Sequence, residues 1–287
     1  MRQTTRLKTL LGQKRAVTFP GAANAMFARV IEDLGFDVCY VTGAGIANMH
    51  LGAPDIGLTT LTEIANATSA ISDAVALPLL VDADTGFGNP VNMHRTVKVL
   101  QRAGAAGIQI EDQVFPKKCG HFNGKDVISL PEMVSKIKAA VDARQDQDFQ
   151  IVARTDARAS IGLDGAIERA HAFIEAGADA TFVEAPLSFE EMETIAKTLP
   201  VPQIANIVYG GKTPDPGRDR LMQMGFAGVL YANASLQAAL RAAYEVLGSL
   251  KEHGALDAVA HRLASFDERQ QVVNKPLWDA MEARYKE

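Results

Sequence analysis

Two cysteines, Cys39 and Cys119, in 287 residues are too few for a disulfide framework, and such scarcity suits a reducing compartment. No apolar run approaches the roughly 20 residues that a membrane span needs. Residues 1–9 are polar and basic, without the apolar core of a signal segment. Lysine and arginine number 29 against 34 aspartates and glutamates, for a formal net charge of −5. No basic block stands out, which speaks against nucleic acid as a partner. No linker or low-complexity stretch interrupts the chain, and its glycines form no nucleotide-binding fingerprint. These absences predict a cytoplasmic protein of one domain, 1–287, with neither membrane nor nucleic-acid partners.

What is present is a repeating pattern. The chain is 47% hydrophobic, enough at this length to fill the core of a single α/β barrel. Eight short apolar runs stand at residues 16–20, 38–43, 79–84, 107–112, 151–156, 181–185, 204–207 and 228–232. Each is rich in Val, Ile, Leu or Phe and none alternates cleanly, as expected of strands buried on both faces. Helical patterns lie between them, for example at 92–103, 131–143, 163–176 and 189–198. Ala103-Gly104 and Ala176-Gly177 read as helix stops with glycine just past the end. Eight βα units predict an α/β protein with a (β/α)8 (TIM) barrel. Residues 236–287 exceed one closing helix and predict a C-terminal helical extension. There, Leu277, Trp278, Met281 and Tyr285 lie close to one helix face. That stripe can pack on its own barrel or on a neighbouring subunit.

In such barrels chemistry sits at the carboxyl ends of the strands. Those ends read Tyr40-Val41-Thr42-Gly43, Asp82-Ala83-Asp84-Thr85-Gly86, Glu111-Asp112, Arg154-Thr155-Asp156, Glu184 and Asn206. Asp82 and Asp84 are two apart, so on a strand they share a face. With Glu111 they bring three carboxylates together, and like charges raise one another's pKa. A divalent cation relieves that repulsion, and an all-oxygen set suits Mg2+, or Mn2+, rather than zinc. A cap and a turn are the better explanation of one aspartate, but not of three converging groups. Arg154 needs an anion, either a ligand carboxylate or an internal partner such as Glu184 or Asp156. Asn206 offers donors to a carboxylate or caps a loop. Lys117-Lys118-Cys119-Gly120-His121 sets a thiol among two ammonium groups and an imidazole, a field that favours thiolate and proton transfer. Cys39, within an apolar run, reads as core.

Taken together, Val81–Asn89 (VDADTGFGN), Ile110–Gln113 (IEDQ), Lys117–His121 (KKCGH) and Ala153–Ala157 (ARTDA) resemble the isocitrate lyase/phosphoenolpyruvate mutase superfamily from about Leu7 to Leu250. The cysteine loop resembles the lyase branch. With Asn206, Gly210-Gly211 and Thr213-Pro214, it most resembles 2,3-dimethylmalate lyases and the related plant petal death protein, and next the 2-methylisocitrate lyases.

The resemblance implies a direct Mg2+ ligand, Asp84, with Asp55, Asp82 and Glu111 holding the ion's waters. It implies that Thr42, Gly43 and Ala44 bind a 2-oxo acid, while Lys117, Gly120, Arg154 and Asn206 make further substrate contacts. Tyr40 would stand near the 2-hydroxyl, His121 and Arg154 would bind carboxylate oxygens or tune the loop, and Cys119 would be the proton donor, restored by Glu184. The loop would be a mobile lid. The assembly implied is a homotetramer, a dimer of dimers, with C-terminal helices exchanged between subunits. Two departures narrow the substrate. Val208 stands where 2-methylisocitrate lyases carry a hydroxyl residue, and Ala234 stands where oxaloacetate hydrolases tend to carry serine. The expected reaction is therefore Mg2+-dependent cleavage of a 2-hydroxy dicarboxylate such as 2,3-dimethylmalate to pyruvate and propionate. The alternatives are 2-methylisocitrate cleavage and oxaloacetate hydrolysis. Outside the superfamily stand a Schiff-base aldolase using Lys117 or Lys118 and a non-catalytic diacid-binding barrel.

Overall fold

The computed structural model describes residues 1–120, 124 and 126–286. Eight parallel strands form the centre: β1 (Val17–Ala22), β2 (Cys39–Val41), β3 (Leu79–Asp82), β4 (Gly107–Glu111), β5 (Gln150–Thr155), β6 (Ala180–Val183), β7 (Ile204–Asn206) and β8 (Gly228–Tyr231). They are hydrogen-bonded in the order β6-β5-β4-β3-β2-β1-β8-β7. A parallel bridge from Thr181 to Gln203 joins β6 back to β7 and closes the barrel. Every residue of β2 to β6 is buried, which is why their sequences show no polar alternation.

Each strand is followed by at least one helix. Local chemistry starts several of these on time. Asn24, Ser129 and Ser188 accept backbone N–H groups as N-caps, while Thr60 and Asn89 form capping boxes. The short helix Gln3–Gly12 buries Leu7, Leu10 and Leu11. These leucines join Phe19, Leu80, Val152, Phe182, Ile204 and Leu230 in one apolar cluster that fills the barrel interior. A second cluster, including Val41, Ile64, Met93, Ile108 and Ile137, fills the space between strands and outer helices.

Period-two geometry sets the mouth of the barrel. Two residues beyond interior-facing Leu80, Val152, Phe182 and Ile204 come Asp82, Arg154, Glu184 and Asn206. The interior apolar column of four strands thus ends in a polar residue at the carboxyl side.

One expectation needs correction. β3 ends at Asp82, and Asp84 lies beyond it in a turn at φ 46°. The two carboxylates are therefore not presented by strand alternation. The turn curls back, and the Asp84 N–H donates to Asp82 Oδ1 at 3.2 Å.

The C-terminal region departs from the barrel. Helix Ala234–His253 has no buried residue, and neither has Lys275–Tyr285. Leu277, Trp278, Met281 and Tyr285 are 51%, 59%, 42% and 72% exposed, so the stripe is not packed on its own barrel. Among the described residues no helix is long and apolar enough to cross a membrane.

Candidate active site

The polar mouth residues meet in two ion-pair groups. In the first, Lys117 reaches into the barrel from the loop after β4. It is 3% exposed. Its ammonium pairs with Asp55 Oδ1 and lies 2.6 Å from Asp84 Oδ1. Burial alone would drive its proton off, but Asp84, Glu111, Asp82 and Asp55 outweigh that effect and hold its pKa well above the usual lysine value. Asp84 behaves in the opposite sense. Burial raises its pKa to about 7; Lys117 opposes that shift, while Asp82 and Asp55 add to it. Thr59 donates to the second Asp84 oxygen at 3.4 Å.

The second group centres on Arg154. Its Nε and Nη2 donate to the two oxygens of Asp156 at 2.8 and 3.0 Å, a bidentate pair. Nε also lies 3.4 Å from Glu111 Oε2, and Nη1 lies 3.3 Å from Glu184 Oε2. Phe182 supports the guanidinium from below, with its ring centroid 5.2 Å away. Both internal partners expected for Arg154 are thus present, and Glu111 is a third. Burial holds the Glu111 pKa well above the carboxylate range; Arg154 opposes this and Asp156 adds to it. Asn206 Nδ2 donates to Glu184 at 3.3 Å.

Around these groups, the Thr42 hydroxyl accepts the Gly45 N–H at 3.1 Å and donates to Asn233 Oδ1 at 3.4 Å. The Gly43 N–H donates to Asp82 Oδ2 at 3.3 Å. A Cβ at Gly43 would come within 3.1 Å of that carboxylate, so any larger residue there would crowd Asp82. Tyr40 is buried and its hydroxyl donates to Gln109 at 2.9 Å.

The loop carrying Cys119 is folded over the mouth. Gln113 grips Lys118 through two hydrogen bonds of 2.8 and 2.9 Å. The Cys119 N–H donates to the Asp55 carbonyl at 3.1 Å. A Cβ at Gly120 would meet Arg154 Nη2 at 2.5 Å and Glu184 Cδ at 2.6 Å. The absence of a side chain there lets the loop press onto the second ion-pair group. His121 lies outside the described residues. Tyr40, Thr42, Ala44, Cys119, Arg154 and Asn206 line the cavity left beneath the loop, with Val208, Leu230 and Ala232 forming an apolar part of its wall. Its volume is about 40 Å3, room for roughly three waters at the ~10–15 Å3 each requires.

Behind the site, Asp112 accepts the Thr155 hydroxyl at 2.7 Å, the Asp156 N–H at 2.9 Å and Arg169 Nε at 2.8 Å. This buried network fixes the end of β5, and with it Arg154.

The donor set at the mouth is all oxygen, as a hard dication requires. Glu111 Oε1 is buried with no hydrogen-bond partner among the described residues, the signature of a group that a ligand can complete. Among the described residues, however, no three acidic, thiol or imidazole groups stand together ready to hold a metal. The place where the expected ligands Asp55 and Asp84 converge is taken by the Lys117 ammonium. The residues fit a dication once Lys117 moves.

Asp55, Asp82, Asp84, Glu111, Arg154, Glu184, Asn206, Thr42 and Cys119, all expected at the site from the sequence, stand at or beside one cavity. Gln109, Thr59 and Asn233 join them without having been expected. Asn233 had a signal, since it follows the eighth strand as Asn206 ends the seventh. Thr59 stands in a loop with none.

Comparison with known proteins gives a consistent answer. The family model described as phosphoenolpyruvate phosphomutase matches residues 7–251. The chain is 46% identical to 2,3-dimethylmalate lyase of Eubacterium barkeri over 268 residues, covering 93% of each chain. It is 45% identical to 2-methylisocitrate lyase of Aeropyrum pernix over 257 residues, covering 90% of this chain and 82% of the relative. Among solved structures, a phosphonopyruvate hydrolase in complex with oxalate and Mg2+ superposes with a TM-score of 0.89 at 30% identity, covering 99% of each chain.

Proposed function

From the premise that this chain belongs to the phosphoenolpyruvate phosphomutase family, within the isocitrate lyase/phosphoenolpyruvate mutase superfamily, we propose that it is a carbon–carbon lyase cleaving 2,3-dimethylmalate, or a close 2-hydroxy dicarboxylate, to pyruvate and propionate. The observation that carries this reading is the juxtaposition of Cys119 with Arg154, Glu184 and Asn206 around one cavity that also borders the acidic cluster.

Asp84, with Asp55, Asp82 and Glu111, would hold Mg2+, or Mn2+, which when bound lowers the pKa of a substrate 2-hydroxyl and screens its carboxylate. The relative solved with Mg2+ and oxalate supports that assignment. Thr42 and Ala44, with Gly43 between them in the chain, line the side where a 2-oxo acid would rest, beside Tyr40. In the reaction a base takes the proton of the 2-hydroxyl, the oxygen's electrons form the carbonyl of the 2-oxo acid as the C2–C3 bond breaks, and the electron pair of that bond passes into the enolate of the departing carboxylate. Arg154 supplies positive charge to that enolate. The Cys119 thiol delivers the proton to carbon. Glu184, within reach of both Arg154 and Asn206, returns a proton to the sulfur. Lys118 and Gly120 complete the lid beside Cys119.

Three further features shape the reading. Val208, Leu230 and Ala232 make one wall apolar, which suits methyl substituents and offers nothing to the third carboxylate of 2-methylisocitrate. Ala234, lacking a hydroxyl, weakens oxaloacetate hydrolysis in the same way. Lys117 is paired with two carboxylates and held protonated, which makes it a poor Schiff-base nucleophile. The exposed apolar residues of the C-terminal helices support a homotetramer in which residues 236–287 are exchanged between neighbours, and the composition supports a cytoplasmic location.

A panel of 2-hydroxy diacids tests the substrate. The proposal expects the kcat/KM for 2,3-dimethylmalate to exceed that for 2-methylisocitrate by at least roughly tenfold, the scale of about 1.4 kcal/mol in transition-state binding. The reverse ratio would assign the chain to 2-methylisocitrate.

A further inference from the structure

The functional reading leaves Lys117 in an odd position. It is a cation, 3% exposed, seated between two of the carboxylates that the reading assigns to a dication. Among the described residues Asp84 Oδ1 makes no hydrogen bond, only the ion pair of 2.6 Å with Lys117. A dication on those oxygens would repel the ammonium beside them, and inside a buried site that repulsion is weakly screened. Lys117 also belongs to the lid. Two residues on, the Cys119 N–H is fastened to the Asp55 carbonyl at 3.1 Å, so Asp55 holds the loop by both its side chain and its backbone. The cavity of about 40 Å3 beneath it is too small for a six-carbon diacid, so the loop must shift for substrate to enter.

We propose that Lys117 is the resident counter-cation of the acidic cluster, that a divalent ion displaces it, and that this displacement unfastens the loop bearing Cys119. Metal loading and lid release are then one event. The carboxylates are never left as an uncompensated buried cluster, and the lid is released in the state able to use substrate. This rests on the reading of Asp55 and Asp84 as metal ligands.

The test pairs Mg2+ titration calorimetry with iodoacetamide labelling of Cys119, on the full chain, in wild type and Lys117→Met. Cys39 is wholly buried with its thiol pushed up to about 12 by that burial, and it serves as the unlabelled reference. Wild type should label at Cys119 several-fold faster once Mg2+ is bound. Lys117→Met should label fast without Mg2+, gain nothing from it, and bind Mg2+ roughly tenfold more tightly, an ordinary coupling magnitude. Unchanged labelling of wild type on Mg2+ binding overturns the proposal, even if the variant binds more tightly, because loss of one charge explains that alone. Unchanged affinity in the variant also overturns it. The wild-type labelling arm stands even if the variant fails to fold. Absence of any Mg2+ binding by wild type is a different result, since it removes the metal-dependent lyase reading itself.

Discussion

At the scale of single residues, the site depends on which groups keep their protons. The folded protein holds the Asp84 proton up to about pH 7, whereas a free carboxyl releases it near 3.8. Between those values the folded state binds more protons than the unfolded chain, so this group's contribution to stability is full below 3.8 and is lost as pH rises to about 7. Asp84→Asn mimics the protonated form at every pH. In EDTA, the stability of wild type relative to Asp84→Asn should therefore fall from pH 4 to pH 7, read by urea denaturation. A difference that is flat across that window would remove the buried, proton-holding Asp84. Cys119→Ser should lower turnover by roughly 10²–10⁴-fold, the range for loss of a general acid, while calorimetry still detects substrate. A near-normal rate would take Cys119 out of the reaction. Much at this scale was legible in the sequence. Asp82, Arg154, Glu184 and Asn206 stand two residues past interior apolar positions, and that offset is a property of strands alone. The burial of Lys117 was not legible. Its partner Asp55 is 62 residues away, and nothing local distinguishes a lysine bound for an acidic cluster from one bound for solvent.

At the scale of elements, the loop after β4 and the end of β5 do the positioning. Gly120 lies against Arg154 and Glu184 with no room for a Cβ. Gly120→Ala should lift the loop and cost about 10²-fold in kcat/KM, a usual consequence of ångström-scale misplacement, with thermal stability nearly unchanged. Normal activity would show that the loop does not close here during turnover. Asp112 is the anchor behind Arg154 and Arg169. Asp112→Ala would leave the Arg169 guanidinium, 7% exposed, without its carboxylate. Such a loss costs about 3–5 kcal/mol, measurable as a lower urea midpoint. A change under 1 kcal/mol, roughly the value of a surface pair, would mean that the network does not hold the end of β5 in place. The strands were readable to within a few residues because each is a short apolar run between helix stops. Their ends were less so. The sequence run 79–84 continues through Asp84, yet β3 stops at Asp82, because Asp84 adopts the left-handed φ of a turn that hydrophobicity does not encode. Helix Arg158–Glu175 likewise begins five residues before the periodic stretch at 163; a break at Gly162 with φ 79° separates its first turn from the rest.

At the scale of the whole molecule, the barrel is complete by Tyr231, and the helices beyond it bury almost nothing on it. Leu240, Tyr244 and Leu247 are 56%, 75% and 61% exposed along one helix, and Trp278 is 59% exposed on another. Apolar surface left open in this way is what a subunit interface would cover. Light scattering should find an oligomer, and Leu240→Lys with Leu247→Lys should shift it toward monomer; a wild-type monomer at micromolar concentration would refute the exchange of C-terminal helices. The sequence left open whether the terminal stripe packs on its own barrel or elsewhere, because helical periodicity gives a face and not its partner. The central claim at this scale is that the mouth of the barrel breaks a carbon–carbon bond with the help of a dication. The most direct measurement is NMR of the products formed from 2,3-dimethylmalate by the wild-type chain, with Mg2+ and with EDTA. Equal amounts of pyruvate and propionate with Mg2+, and neither in EDTA, are the expected result. Intact substrate under both conditions, or products that persist in EDTA, would contradict the account.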